Sequence, residues 1–94
     1  MTYAIDDRAL AAHVLITLAA DRGRAARLDE LADDLGVRRA DVRRVVSALH
    51  AQGMLDAARL RLTMPGLALA AALQGCKLRD VRRPVVAERT AVAA

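Results

Sequence analysis

The sequence contains no tryptophan and no phenylalanine, and its only aromatic residue is Tyr3. A core without large rings must be built from Leu, Val, Ile and Ala, whose side chains suit closely packed helices. Cysteine is equally scarce, because Cys76 is the only one in 94 residues. A single cysteine forms no internal disulfide and cannot supply a thiolate metal site alone, which excludes a disulfide-stapled secreted domain.

Long apolar runs are also missing. The first residues lack the basic segment and the apolar stretch of a signal peptide. Asp21, Arg22 and Gln74 interrupt the longest apolar stretches before they reach the roughly 18 residues of a membrane span. We therefore expect a soluble cytoplasmic protein of one domain. A chain of this length buries about 60–65% of its unfolded surface, so we expect marginal stability unless it self-associates.

Charge is abundant but unevenly distributed along the chain, which has 15 basic residues, 11 acidic residues and a net charge of +4. Residues 28–36 hold four acids and no base, whereas residues 38–44 hold four Arg and one Asp. Residues 77–89 hold five bases against two acids. An anionic partner approached by one helix and a flanking tail would explain this segregation. A solvated helix face with local ion pairs would explain it equally well.

The spacing of apolar residues predicts four helices and one tight hairpin. The helices are expected over residues 7–20, 29–35, 39–52 and 65–73, and the hairpin over residues 54–63. Asp6 or Asp7 is suited to cap the first helix and Thr63 the last. Gly36 and Gly53 end the second and third helices. In the hairpin, strand-like alternation places Leu60 and Leu62 on one side and Arg59 and Arg61 on the other.

Residues 28–47 have the pattern of two helices that cross steeply through a short turn. Ala32 is small enough to let the helices approach closely, and Gly36 provides the turn conformation that a side chain would resist. Apolar residues at the remaining positions fill the shared centre: Leu31, Leu35, Val37, Val42 and Val45. This pattern predicts a helix-turn-helix.

On these residues, Leu28 to Leu55 resembles the helix-turn-helix of bacterial winged-helix transcriptional regulators of the MarR-like, ArsR-like and PadR-like group. Residues 45–55 resemble the stretch from the recognition helix into the first wing strand, and Leu62-Thr63-Met64-Pro65-Gly66 resembles the Leu-Thr-x-x-Gly that closes the wing. The resemblance covers about residues 8–73. It implies a mainly α fold with a small β-hairpin, that is, a three-helix core, a short wing and a C-terminal helix. It also implies binding to double-stranded DNA without a cofactor.

Two departures from this family pattern stand out. Arg27 and Arg38 occupy positions where relatives commonly place a capping Ser or Thr, and losing such a cap costs about 1 kcal/mol. Asp41 partly compensates by placing negative charge near the start of its helix. The wing is too short for a long basic excursion along DNA, although Arg59 and Arg61 could still reach a phosphate.

A third helix placed in a major groove would present its exposed N-terminal residues to the bases. The candidate DNA-binding residues are Arg38, Arg39, Ala40, Arg43, Arg44, Ser47, Arg59 and Arg61. Because a guanidinium matches guanine O6 and N7, we assign base reading to Arg39 and Arg43. Arg38 and Arg44 are assigned to phosphates. Winged-helix scaffolds also bind proteins, so the alternative is an interaction module whose basic face contacts an acidic partner in a larger assembly.

The last predicted helix is apolar on every side, which leaves two interpretations. Either the first helix and the C-terminal segment wrap it, or it forms the seam of a homodimer. We favour the dimer, with Leu67, Leu69, Ala70 and Leu73 at the interface, because a chain of 94 residues has few elements with which to wrap this helix. Two recognition helices one DNA turn apart would also read a palindrome. Residues 1–76 then form the winged domain with its dimerisation helix, and residues 77–94 form a basic segment that is mobile or docked on a partner.

Other reactive residue types indicate no second activity. His13 and His50 have no neighbour at metal-ligand spacing, so no metal site is expected. Cys76 precedes Lys77, whose positive charge could make the thiol redox-sensitive. An inert cysteine is the simpler interpretation. No nucleophile and base pair, glycine-rich phosphate loop or carboxylate pair stands out, so we do not expect an enzyme.

Overall fold

The computed structural model of the chain describes residues 3–20 and 27–84. Its elements follow in the order β1 (Tyr3–Ile5), α1 (Asp7–Ala20), α2 (Leu28–Leu35), α3 (Arg39–Ala51), β2 (Leu55–Asp56), β3 (Arg61–Leu62), α4 (Met64–Leu73) and β4 (Arg82–Pro84). Strands β2 and β3 form one antiparallel pair, and β1 and β4 form another. This order confirms the predicted winged helix-turn-helix fold, with β2 and β3 as the wing.

Helix α1 begins at the predicted residue because Asp6 caps it. The carboxylate Oδ1 of Asp6 accepts hydrogen bonds from the backbone N–H groups of Arg8 (3.1 Å) and Ala9 (3.3 Å). These two groups have no partner within the helix, so the cap stabilises its first turn. The apolar stripe of α1 then lies in the core, where Leu10 and Val14 are fully buried.

The turn between α2 and α3 has the geometry that the sequence predicts. Gly36 adopts the left-handed conformation with φ of 68°. The N–H of Gly36 donates to the Asp33 carbonyl at 3.2 Å, and the N–H of Val37 donates to the Ala32 carbonyl at 3.0 Å. This pair of bonds is a Schellman motif, which satisfies the last carbonyls of α2 and turns the chain into α3.

The wing is shorter than the predicted alternation. Arg61–Leu62 forms β3, whereas Arg59 and Leu60 lie in the turn between the strands rather than in a strand. Leu60 has a φ of 52°, in the left-handed region. With only two residues in each strand, the wing is a compact corner of the domain and not an extended arm.

Helix α4 begins where the wing ends, and Thr63 joins the two. Its hydroxyl donates to the Gly53 carbonyl at 2.6 Å and accepts from the N–H of Gly66 at 3.2 Å, which confirms the predicted cap. Gly66 packs directly on the wing, because a Cβ added to it would lie 1.9 Å from the carbonyl oxygen of Met54. The glycine of the Leu-Thr-x-x-Gly motif is therefore required by close backbone packing.

The pairing of β1 with β4 was not predicted. Ile5 pairs with Arg82 and Ala4 with Arg83. The last described residues therefore lie beside the strand that precedes α1. The N–H of Asp6 donates to the Val81 carbonyl at 2.8 Å, and the Val81 side chain is buried in the core. Residues 77–84 of the predicted basic segment are thus part of the domain. Residues 85–94 lie outside the described region, so the prediction for them stays a prediction.

Substituting Gly66→Ala tests the packing of α4 on the wing. The added methyl group meets the Met54 backbone, which cannot move as a flexible side chain would, so we expect unfolding free energy to fall by about 1–3 kcal/mol. Gly75→Ala is the matched control, because a Cβ there meets nothing within 4 Å. Urea denaturation of both variants measures the difference, and equal stabilities would contradict this account of the motif.

Candidate nucleic-acid interface

Helix α3 has one buried face and one exposed face. Val42, Val45, Val46 and Leu49 pack in the core, which fixes the rotation of the helix. Arg39, Ala40, Arg43 and Ser47 are exposed. Residues three and four apart share a helix face, so the last three of these form one continuous stripe with Arg39 beside it. The structure therefore brings together four of the predicted DNA-binding residues.

Arg39 and Arg43 have guanidinium groups that no other part of the described chain engages. Within residues 3–20 and 27–84, the structure shows neither side chain in a hydrogen bond or an ion pair. A guanidinium has five N–H donors and no acceptor, so both side chains offer their full donor set to a partner. This property fits the predicted role of both residues in reading bases.

Asp41 anchors the N-terminal end of α3 and is buried, with 2% of its surface exposed. Its Oδ2 accepts from the backbone N–H and from Nε of Arg38, both at 3.3 Å. Its Oδ1 accepts from Nη2 of Arg44 at 3.2 Å. Burial raises the pKa of Asp41, but the hydrogen bonds and the charge of Arg38, with a smaller effect of Arg44, outweigh burial and hold the pKa below its usual value. Asp41 thus does more than the predicted charge compensation, because it also accepts the backbone N–H of Arg38, the residue that precedes α3.

Arg44 joins α3 to α1. Its Nε and Nη2 donate to the two carboxylate oxygens of Asp7, at 3.2 and 2.8 Å. Asp7, and then Asp41, raise the pKa of Arg44. A DNA phosphate would compete with both carboxylates for this guanidinium, so the predicted role of Arg44 as a phosphate ligand stays a prediction.

The wing presents Arg59 and Arg61 as exposed side chains, as the sequence predicts. The turn is tied to the C-terminal end of α3 by His50, whose Nδ1 lies 3.0 Å from the Leu55 carbonyl oxygen and 3.2 Å from the Ala57 nitrogen. His50 therefore holds the position of the wing relative to α3.

Arg82 is a basic residue of this surface that the sequence did not assign. It reaches the helix-turn-helix from β4 and donates from Nη2 to the carbonyl oxygen of Gly36. It lines one cavity together with Arg38, which directly precedes α3. The basic composition of residues 77–89 was visible in the sequence, but the long-range pairing that brings Arg82 to this turn was not.

The predicted dimer residues of α4 are only partly available to a second chain. Ala70 is fully buried in the core, so it is removed from the candidate interface. Leu67 and Leu73 are half-buried, and Leu69 is exposed over 38% of its surface. Leu69 and Leu73 also line an open groove of about 450 Å³ between α1, α3 and α4, with mainly apolar walls.

The remaining candidates have structural contacts. Nε2 of His13 donates to the Arg79 carbonyl at 2.8 Å and holds the segment before β4. Cys76 is exposed, and its Sγ lies 3.7 Å from the Ala72 carbonyl oxygen. Among residues 3–20 and 27–84, no group of three or more His, Cys, Asp or Glu side chains could hold a metal ion. None of the helices in those ranges is long and apolar enough to cross a membrane.

These features define a winged helix-turn-helix with an exposed basic recognition helix. The family model of the IclR helix-turn-helix domain matches residues 7–58, which run from α1 into the wing and make up more than half of the chain. The chain therefore belongs to the IclR helix-turn-helix family, and its activity is DNA binding by a transcriptional regulator. The winged-helix regulator class is as predicted, but the MarR-like, ArsR-like and PadR-like families named from the sequence are not the matched family. No curated protein and no solved structure matches the chain.

Substituting Asp41→Asn tests the anchor of α3. The change removes the charge that Arg38 and Arg44 share, so we expect unfolding free energy at neutral pH to fall by about 1–3 kcal/mol. A depressed folded-state pKa contributes stability above the unfolded value of about 3.9, and this contribution disappears as pH falls through the lower folded value. The difference in unfolding free energy between the wild type and the variant should therefore become smaller below about pH 4.

Asp33→Asn is the control for this measurement, because Asp33 is an exposed acid of α2. Chemical denaturation over a pH series should show little change for that variant. If the stability difference between the wild type and Asp41→Asn stayed constant at pH values below the folded-state and unfolded-state pKa of Asp41, the role assigned to its carboxylate would be wrong.

Proposed function

We propose that the chain binds specific sequences of double-stranded DNA by inserting α3 into the major groove. It would act as a homodimeric transcriptional regulator, located on the nucleoid in the bacterial cytoplasm. The observation that carries this proposal is the exposed face of α3, where Arg39 and Arg43 are both free of partners in the described chain. A buried apolar face fixes the opposite side of the helix. The two guanidinium groups therefore project from a rigid element, as base reading requires.

The contacts of the four Arg residues around α3 support a division of labour. Arg39 and Arg43 retain their full donor sets, and a bidentate contact to guanine discriminates by about 1–3 kcal/mol. Arg38 and Arg44 share Asp41, so their orientation is constrained before DNA arrives. Constrained cations beside the recognition helix suit phosphate contacts, which position a protein without reading sequence. Arg59 and Arg61 would add such contacts from the wing.

The proposal of a homodimer rests on α4. Leu69, Ala72 and Leu73 lie three and four positions apart and form an apolar edge that the domain leaves wholly or partly exposed. This edge borders the apolar groove between α1, α3 and α4. A ridge and a groove side by side on one chain suit a two-fold interface, in which each copy offers the same patch to the other. Such a dimer would read a palindrome with its two α3 helices.

Arg39→Ala and Arg43→Ala test the role in base reading. Genomic fragments selected on the wild-type protein provide the target, and a shuffled duplex provides the reference. We expect each variant to lose about 1–3 kcal/mol of discrimination between the two duplexes, because a bidentate base contact is removed. Fluorescence anisotropy titrations measure both affinities.

Arg59→Ala is the comparison variant, since losing a phosphate contact from the wing weakens binding to all sequences alike and reduces the salt slope. Arg44→Ala should behave in the same way if its guanidinium binds phosphate, and its thermal stability is measured alongside because it also pairs with Asp7. Equal loss on target and shuffled duplex for Arg39→Ala and Arg43→Ala would show that neither residue reads bases. If the wild type binds no duplex at micromolar protein in low salt, the proposed function itself is wrong.

Leu69→Glu tests the dimer. A carboxylate at this position would be buried without a partner in the proposed seam, so we expect the protein to sediment as a monomer at concentrations where the wild type is a dimer. Ala58→Glu adds the same charge in the exposed wing turn and should leave the sedimentation coefficient unchanged. A monomeric wild type, or a Leu69→Glu variant that remains dimeric, would overturn the α4 interface.

A further inference from the structure

Strand β4 places a second cation beside the one that precedes the recognition helix. Arg38 and Arg82 are both exposed and line one open cavity of about 440 Å³, with Ile5, Gly36, Val37 and Asp41 as its other walls. These residues come from β1, from the turn of the helix-turn-helix, from α3 and from β4. The cavity therefore exists only because the β1–β4 sheet closes on the turn.

Arg82 is held in place by a well-anchored segment. Ile5 pairs with Arg82 across the sheet, and the N–H of Asp6 donates to the Val81 carbonyl at 2.8 Å. The Val81 side chain is buried, and His13 donates to the Arg79 carbonyl at 2.8 Å. A cation on such a segment is ordered in advance, so a ligand need not bear the entropy cost of ordering it.

The cavity has the charge and the donors that one phosphodiester group requires. Its charged side chains are two guanidinium groups and the Asp41 carboxylate, which leaves one positive charge in excess. Arg38 uses Nε for Asp41, and its side chain is 83% exposed. Arg82 uses one Nη2 hydrogen for Gly36. Each guanidinium has five N–H donors, so both keep several for an oxygen ligand.

We propose that this cavity binds one phosphodiester group of the DNA backbone, with Arg82 as a phosphate ligand alongside Arg38. The inference rests on the proposed function and deepens it. Because Arg38 directly precedes α3, a phosphate held here lies next to the part of α3 that enters the groove. A contact at this point fixes the register of α3 on the duplex, which is the task of phosphate contacts in specific complexes.

Arg82→Gln tests the role of this cation. The amide of Gln keeps an N–H donor for the Gly36 carbonyl but removes the charge. We expect weaker binding of a duplex of roughly two helical turns, and a slope of log K against log salt that is smaller by about 0.9, the value for one phosphate contact. Lys77→Gln is the matched control, since it removes one exposed charge from the same segment without lining the cavity. Its slope should equal that of the wild type.

Anisotropy titrations over a salt series give the slopes, and thermal melts show that each variant is folded. A double variant with Arg38→Gln adds a second measure, because two cations on one phosphate should show non-additive losses of affinity. A slope for Arg82→Gln equal to that of Lys77→Gln, while Arg43→Ala still loses discrimination, would overturn this inference and leave the proposed function intact. A wild type that binds no duplex would overturn both.

Discussion

The presentation of α3 depends on one buried carboxylate. Asp41 accepts hydrogen bonds from the Arg38 backbone and side chain and from the Arg44 side chain, and Arg44 in turn pairs with Asp7 at the start of α1. A buried carboxylate left without these donors would be costly, so the carboxylate and the two cations hold each other in place. The start of the recognition helix is thereby tied both to the turn that precedes it and to α1.

This network also explains how α3 begins without a conventional cap. An arginine side chain has no acceptor, so Arg38 cannot bind the free N–H groups of the first turn. Asp41, at the third position of the helix, instead accepts the backbone N–H of Arg38. This bond is one of the two hydrogen bonds that make up a capping box. The domain thus has a cation at the N-cap position of α3, and the buried acid binds the backbone N–H of that residue.

Much of the fold could be predicted from the sequence because it is encoded locally. The apolar stripe of α1, the Gly36 turn and the Thr63 cap each depend on residues within a few positions of one another, and all three lie where the sequence predicts. The exposed stripe of α3 follows from the same helical periodicity. The β1–β4 pair has no such local signal, because three-residue strands from the two ends of the described region find each other only in the folded domain. The contacts of Arg82 with Gly36 and of Arg44 with Asp7 were missed because they too join residues that are far apart in the sequence.

The four Arg residues at the start of α3 differ in their contacts. Local ion pairs account for Arg38 and Arg44, which share Asp41. They do not account for Arg39 and Arg43, which no described residue neutralises. The contacts therefore distinguish two cations that also hold the start of α3 from two whose guanidinium groups no described residue engages.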